Sequence, residues 1–169
     1  PNDPKYLHYT AYSILYTTAL AQGRTLALFT SYRAMQQIAD AIGDKLAREG
    51  YDLLVQGDAS RSQLLEQFRQ NPRTLLLGTS SFWEGVDLPG DLLRAVVITR
   101  LPFAVPDEPV TQARLLAVEQ DGLNSFTAYS IPQAILKLKQ GFGRLIRSQR
   151  DKGAVVILDQ RILTAPYGR

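Results

Sequence analysis

Five short runs of β-branched and aliphatic residues alternate with segments of helical periodicity along this chain. The runs lie at residues 25–30, 51–55, 74–77, 95–99 and 154–158. Strands that alternate with helices are joined by crossover connections, which place neighbouring strands parallel in one sheet. The sequence therefore predicts an α/β fold, with a mostly parallel sheet and helices on both of its faces.

Helical periodicity fills most of the intervals. Helices are predicted at residues 6–21, 35–49, around 64–68, and at about 110–120. The third is opened by Ser60 or Ser62, either of which is a suitable N-cap. Residues 101–129 interrupt the alternation with three prolines, so we expect them to form an excursion outside the sheet. A last helix has Pro132 in its first turn and Ser130 as its expected cap.

Size and composition limit the chemistry that the chain can perform. Its 169 residues suffice for one well-buried core and are too few for two ordinary domains, so one domain is predicted. The absence of cysteine excludes a disulfide, a thiolate metal site and a cysteine nucleophile, and the lone His8 cannot build a metal centre. A net charge of +3 permits a nucleic-acid partner without demonstrating one.

The termini and the hydropathy pattern bear on location. No stretch has the length of a membrane-spanning helix, and the amino end lacks the features of a signal peptide, so a cytoplasmic protein with no membrane partner is expected. The chain starts at Pro1 and stops shortly after a strand-like run. We therefore expect it to be a piece of a longer protein.

The segment at residues 140–147 (Gln-Gly-Phe-Gly-Arg-Leu-Ile-Arg) predicts a helix with two contrasting faces. Polar side chains fall on one stripe, at Lys137, Gln140, Arg144 and Arg147. Apolar side chains fall on roughly the opposite stripe, at Ile135, Leu138, Phe142 and Leu145. The apolar face is expected to pack against the rest of the domain, and the polar face to contact a polyanion. A solvated basic helix face is the alternative and stays open.

Arg144 and Arg147 are one helical turn apart, so their planar guanidinium groups could close on one phosphate from neighbouring positions. Gly141 and Gly143 beside them cost up to about 1 kcal/mol each in helix propensity relative to alanine. A helix with a purely structural role gains little from two such glycines. The alternative is that another backbone packs against them.

A long loop at residues 78–90 follows the third predicted strand, at the edge of the sheet where open α/β folds place ligands. Glu84 and Asp87 flank Gly85 and could orient arginines, accept a sugar hydroxyl or hold a metal-bound water. The hydroxyl groups at residues 79–81, Ser81 among them, could contact phosphates. The alternative is a tight surface turn anchored by Trp83.

Other strand ends lie at the same predicted edge. Thr30 and Ser31 follow the first strand and either cap a helix or contact phosphate, two roles that are compatible. Residues 56–58 are best explained as a plain turn. Phe103 follows the fourth strand and packs under the excursion or stacks on a base. Residues 159–161 (Asp-Gln-Arg) are best explained as a salt-bridged strand end.

Three of these segments resemble, in order, motifs IV, V and VI of the superfamily 2 DNA helicases of the DinG and XPD type. They are residues 28–32 (Leu-Phe-Thr-Ser-Tyr), residues 81–90 (Ser-Phe-Trp-Glu-Gly-Val-Asp-Leu-Pro-Gly) and residues 140–147 (Gln-x-x-Gly-Arg-x-Ile-Arg). The resemblance continues through Asp151-x-Gly153 and Asp159-x-Arg161, so it spans nearly the whole chain from about residue 25. It implies the second RecA-like motor domain of a helicase that moves 5′ to 3′ on DNA.

The resemblance also implies partners and cofactors. ATP and Mg²⁺ would be bound mainly by a first RecA-like domain of the same protein, because this chain has no Gly-x-x-x-x-Gly-Lys phosphate loop. An iron–sulfur cluster would belong to that domain as well, with none in this chain. Single-stranded DNA would be the substrate on which the motor moves.

The resemblance assigns roles to individual residues. Arg144 and Arg147 would be catalytic, stabilising charge at the γ-phosphate of ATP. The other ATP-binding positions would be Gln140, Glu84, Gly85 and Asp87. The positions that grip single-stranded DNA would be Thr30, Ser31, Tyr32 and Ser81.

Two other functions remain open. One is a non-catalytic member of the family that serves as a nucleic-acid or protein-binding module. The other is a small-molecule α/β enzyme with an anion site, which would bind a phosphorylated metabolite and ignore DNA. The missing glycine-rich phosphate loop counts against the second.

Overall fold

The computed structural model of the chain describes residues 5–79, 82, 88, 92–143, 145 and 152–168, with the side chain of Phe142 excepted. Its centre is a five-stranded sheet. The strands are β1 (Thr25–Leu28), β2 (Asp52–Val55), β3 (Thr74–Gly78), β4 (Ala95–Ile98) and β5 (Ala154–Ile157). Their order across the sheet is β2-β3-β1-β4-β5, and every neighbouring pair is parallel. The predicted α/β class and all five strand positions are confirmed.

Helices occupy each of the intervals that periodicity predicted, and a short further helix, which was not predicted, follows β5. They are α1 (Tyr6–Leu20), α2 (Tyr32–Arg48), α3 (Arg61–Gln70), α4 (Pro109–Gln120), α5 (Ile131–Phe142) and the short α6 (Arg161–Thr164). A π-helical turn (Phe126–Ser130) precedes α5, and a 3₁₀ turn (Pro166–Gly168) follows α6. None of the helices in the described ranges is long and apolar enough to cross a membrane.

Two apolar clusters, one on each face of the sheet, hold the fold together. Alternate residues of β1 face opposite ways: Leu26 and Leu28 pack with Phe68 of α3, whereas Ala27 packs with Ile14 of α1 and other side chains from α2. All of these side chains are buried. Each fully buried leucine or phenylalanine contributes about 1.5–3 kcal/mol relative to an exposed one. The predicted helices on both faces are thus confirmed.

Helix starts depend on particular caps. Ser60, rather than Ser62, opens α3, because its hydroxyl accepts the Gln63 amide at 3.3 Å while the Gln63 side chain accepts the Ser60 amide at 3.1 Å. The prediction for Ser130 is wrong. Ser130 has helical backbone angles and makes no side-chain capping bond, because the π-helical turn runs directly into α5.

The docking face of α5 differs from the predicted apolar stripe. Leu138 packs against the core and Leu145, which follows the helix, is buried as expected, but Ile135 is 43% exposed. Ala134 and Gly141 are buried instead. These two lie within about 60° of Leu138 around the helix axis. Small residues permit close approach of the helix to the sheet, and a pattern of large apolar side chains does not reveal them.

The segment between β4 and α5 contains no strand. In α4, which the structure describes in full, Thr111 is the one buried side chain. The carboxyl end of this segment is held by an aromatic cluster in which the rings of Phe103, Phe126 and Tyr167 lie with centroids 5.4–5.6 Å apart. Phe103 is half-buried in this cluster, so the packing interpretation of Phe103 is correct.

Candidate functional site

The carboxyl ends of the strands form one level edge. In the parallel register, Leu28 is opposite Gly78 on one side and Ile98 on the other, and Ile98 is opposite Ile157. The residues that follow these strands therefore emerge side by side. This is the edge at which open α/β sheets bind ligands.

Hydrogen bonds tie the ends of β1, β2 and β3 together. The Gln56 side-chain oxygen accepts the Thr79 amide at 2.6 Å and the Thr79 hydroxyl at 3.0 Å, and the Tyr32 hydroxyl donates to the Gln56 carbonyl at 3.1 Å. The turn at Gln56 therefore does more than reverse the chain. The sequence signal for this contact is a polar side chain, Gln56, directly after a predicted strand. The prediction of a plain turn at residues 56–58 did not include this structural role.

Gly57 allows Tyr32 to approach this edge. Gly57 has φ +112°, in the left-handed region that favours glycine, and a Cβ at Gly57 would lie only 2.2 Å from the Tyr32 hydroxyl. The Tyr32 ring is otherwise 50% exposed. The structure thus fixes the tip of Tyr32 and leaves about half of the residue exposed.

The two hydroxyl residues after β1 have different environments. Ser31 is the N-cap of α2, where its side chain accepts the Ala34 amide at 3.3 Å, so the capping interpretation is confirmed. Thr30 is exposed at the edge of the sheet. Phosphate contact by either residue stays a prediction.

A cleft of about 550 Å³ opens along this edge. It is lined by Thr30, Tyr32 and Thr79, by Phe103, and by Lys137 of α5. The lining thus combines hydroxyl groups, three aromatic side chains, the ammonium group of Lys137 and the carboxylate of Glu108. Such a lining suits a ligand that carries both phosphates and planar bases.

Gln140 lies on the turn of α5 that follows Lys137 and is exposed. The helix as described ends at Phe142, and Arg144 and Arg147 lie outside the described residues. Leu145, between them in sequence, is anchored. A Cβ on Gly153 would approach the Leu145 side chain to 2.5 Å, so only glycine fits there while Leu145 keeps its position in the core.

The loop after β3 is described only in part. Phe82 is 1% exposed and packs so closely on Gly78 that a Cβ there would lie 2.7 Å from the Phe82 side chain. Phe82 therefore belongs to the buried core beneath the loop. Four predicted site residues of the loop lie outside the described residues: Ser81, Glu84, Gly85 and Asp87.

Asp159 and Arg161 form the expected salt bridge at the end of β5. The Asp159 carboxylate is buried and accepts bonds from the Arg161 guanidinium at 2.5–3.1 Å and from the Leu101 amide at 3.0 Å. Burial raises the pKa of Asp159, but these hydrogen bonds together outweigh it and hold the pKa below its ordinary value. The Asp159 carboxylate therefore joins the ends of β4 and β5 through its bond to the Leu101 amide.

Metal binding finds no support in the described part of the chain. Within it, no three histidine, aspartate or glutamate side chains gather closely enough to hold an ion. The chemistry at this edge is that of hydroxyl, amide, aromatic, cationic and carboxylate groups.

Comparisons with known proteins agree with this arrangement. A family model described as "Helicase C-terminal domain" matches residues 14–169. The chain is 41% identical over 169 residues to the 3′-5′ exonuclease DinG of Bacillus subtilis. This alignment covers 99% of the chain and 18% of that relative. It is 44% identical over 147 residues to the ATP-dependent DNA helicase YoaA of Haemophilus influenzae. This second alignment covers 87% of the chain and 22% of that relative.

A search of solved structures gives the same fold. The structure named XPD_Helicase superposes with a TM-score of 0.74 at 24% identity, covering 96% of this chain and 29% of that one. At this identity the likeness shows the fold, which is the RecA-like α/β fold that the motifs predicted.

The five-stranded parallel sheet, together with its superposition on XPD_Helicase, defines a RecA-like α/β class of domain. Within that class, the chain belongs to the helicase C-terminal domain family of the DinG and XPD type. The chain spans only 18–22% of the length of the two curated relatives described above.

Proposed function

We propose that this chain is the second motor domain of an ATP-dependent DNA helicase. The observation that carries the proposal is the cleft at the carboxyl edge of the sheet, where Thr30, Tyr32 and Lys137 line one continuous space. Family membership supports it, since the relative from Haemophilus influenzae is named an ATP-dependent DNA helicase. The partner domain would be a first RecA-like domain of the same protein.

The proposed contribution to ATP hydrolysis is cationic. Arg144 and Arg147 stabilise the charge that develops at the γ-phosphate, as arginine fingers do, and Gln140 contacts the nucleotide from the exposed face of α5. Glu84 and Asp87 hold the arginines or the ribose in place. Mg²⁺ and the phosphate loop would come from the first domain, because this chain contains no Gly-Lys dipeptide.

The proposed contribution to DNA binding is a grip on the backbone. Thr30, Ser31, Tyr32 and Ser81 contact single-stranded DNA, with Lys137 adding a positive charge inside the cleft. Because the arginines engage ATP only when the two domains close, each cycle of hydrolysis opens and closes the cleft between the domains. DNA held on this edge is then moved, in the 5′-to-3′ direction that the family resemblance implies.

Replacing Lys137 tests the DNA-binding part of this proposal. In the full-length protein, Lys137→Gln is expected to weaken binding of single-stranded DNA about threefold to tenfold at moderate salt, and to lower the slope of log affinity against log salt by about one. The change is best measured by fluorescence anisotropy with a labelled oligonucleotide.

Lys139→Gln is the matched control, since Lys139 is an exposed lysine of the same helix and does not line the cleft. It should bind nearly as the wild type does. Equal losses for the two variants, or no loss for Lys137→Gln, would remove the cleft from the DNA-binding surface.

A binding module without motor activity is the second candidate. One observation favours it: the relative that matches nearly the whole chain is named a 3′-5′ exonuclease. In such a protein this domain would bind nucleic acid for another activity of the same polypeptide. ATP turnover by the full-length protein distinguishes the two functions.

A further inference from the structure

The cleft of about 550 Å³ at the carboxyl edge of the sheet contains a carboxylate as well as an ammonium group. Glu108 directly precedes α4 and lies outside the three motifs, whereas Lys137 belongs to α5. Neither side chain forms an ion pair with a described residue. The cleft is therefore not lined by phosphate-binding groups alone.

Glu108 is held in place at the start of α4. Thr111, the one buried side chain of that helix, donates its hydroxyl to a Glu108 carboxylate oxygen at 3.3 Å. The Glu108 amide donates to the Val105 carbonyl at 3.2 Å. A carboxylate offers about four lone-pair sites, so most of them are left by the described residues for a ligand in the cleft. Glu108 is exposed, which makes these sites accessible.

Hydrogen bonds within the protein decide which cleft side chains can donate to a ligand. The Tyr32 hydroxyl gives its proton to the Gln56 carbonyl at 3.1 Å, and the Thr79 hydroxyl gives its proton to the Gln56 side-chain oxygen at 3.0 Å. A hydroxyl has a single proton, so neither has one left for a ligand. Thr79 therefore presents only oxygen lone pairs to the cleft, as the carboxylate of Glu108 does.

The phosphates and the bases of DNA make opposite demands on such a lining. A phosphodiester has hydrogen-bond acceptors only, so its side-chain partners in this cleft are the Lys137 ammonium and the Thr30 hydroxyl. Thr79 and Glu108 instead require a ligand that donates. The unpaired bases of a single strand carry such donors on their Watson–Crick edges. The lining thus suits a nucleotide whose base, and not only its phosphate, is bound.

Guanine is the base whose donors suit a carboxylate best. Its Watson–Crick edge has two adjacent donors, the N1–H and the N2 amino group, which match the two oxygens of one carboxylate in a bidentate pair. Adenine and cytosine have one amino donor beside a ring-nitrogen acceptor, and thymine has one N–H between two carbonyls. The rings of Tyr32 and Phe103 line the same cleft, and Tyr32 is 50% exposed, so the base has an aromatic surface for stacking.

We infer that Glu108 makes this cleft selective for guanine in single-stranded DNA. The donor edge of the base pairs with Glu108, and the Thr79 oxygen is a further acceptor. The base stacks on Tyr32, while the phosphate of the same nucleotide binds Lys137 and Thr30. The inference rests on the proposed function, because it names the base that the same DNA-binding cleft prefers.

The test compares two labelled oligonucleotides of equal length in binding to the full-length protein, measured by fluorescence anisotropy. One is an oligothymidylate, and the other has deoxyguanosine at every third position. The wild type should bind the guanine-containing strand about fivefold to tenfold more tightly, at the lower end of a bidentate base contact because Glu108 is exposed. Glu108→Ala should reduce this ratio to about one. In the wild type, replacing guanine by hypoxanthine, which lacks the amino group, should remove most of the preference.

Two further variants separate base contact from charge. Glu119→Ala is the matched control, since Glu119 is an exposed carboxylate of α4 that also accepts a hydroxyl, from Ser125 at 2.6 Å, but does not line the cleft. It should keep the wild-type ratio. Lys137→Gln should weaken binding of both strands alike and leave the ratio unchanged, because its partner is phosphate. Thermal melting checks that each variant is folded.

The outcomes distinguish this inference from the proposed function. If the wild type binds the oligothymidylate at least as tightly as the guanine-containing strand, the inference is wrong and the proposed function stands. The same holds if folded Glu108→Ala keeps the preference and only tightens binding of both strands, because the carboxylate then acts by charge alone. If the wild type binds neither strand, the proposed function fails and the inference fails with it.

Discussion

In the full-length protein, Arg147→Ala is expected to lower the rate of ATP hydrolysis by about a thousandfold or more, while affinity for single-stranded DNA stays close to that of the wild type. Arginine fingers contribute roughly 10³–10⁵ to phosphoryl-transfer rates, because they meet charge that develops only in the transition state. The proposed target of Arg147 is the γ-phosphate rather than DNA. The rate of ATP hydrolysis and the affinity for single-stranded DNA, the latter by fluorescence anisotropy, are measured on the same preparation. Together they check both parts of this prediction.

Two further variants make this result specific. Arg147→Lys keeps the charge but lacks the planar fork, so most of the loss should remain. Lys152→Ala removes a nearby exposed cation to which no role is assigned, and it should turn over ATP normally. Parallel loss of hydrolysis and DNA binding in Arg147→Ala would contradict the assignment of this residue to the nucleotide.

The largest effect on stability is expected from Arg161→Ala. The substitution leaves the buried Asp159 carboxylate with only backbone amides as partners. Breaking a fully buried pair costs about 3–5 kcal/mol, and because the Arg161 side chain is 39% exposed we expect about 2–3 kcal/mol. For a chain of this size that corresponds to a fall of roughly 5–10 °C in Tm, measurable by circular dichroism.

The same pair makes stability depend on pH. Because the pKa of Asp159 is lower in the folded state, its contribution is fully present above the unfolded value of about 3.9 and is lost as the pH falls through the lowered native pKa. Asp159→Asn should remove this acid-side dependence, and its Tm at neutral pH should fall less than that of Arg161→Ala. An unchanged pH profile in Asp159→Asn would contradict the assigned role.

Strand positions could be predicted because the apolar runs are continuous and the intervals have a clear helical period. The starts of α2 at Ser31 and of α3 at Ser60 could be predicted because serine is a favourable N-cap. The docking face of α5 could not be predicted in the same way, because close packing by Ala134 and Gly141 leaves no trace in a pattern of large apolar side chains.

Parts of the candidate site are invisible in the sequence for a different reason. Thr79, Phe103 and Lys137 come together from three separate segments of the chain. No local spacing relates residues that meet only after the sheet has formed. By contrast, the motif around Thr30 could be placed in advance, since it directly follows a strand whose end defines the edge.

The most direct test of the central claim is the rate of ATP hydrolysis by the full-length protein as a function of single-stranded DNA concentration. A motor whose second domain both binds DNA and completes the ATP site should have a low basal rate that rises to a plateau with DNA. A folded protein that binds single-stranded DNA but hydrolyses no ATP at any DNA concentration would contradict the account, and would leave the domain as a binding module.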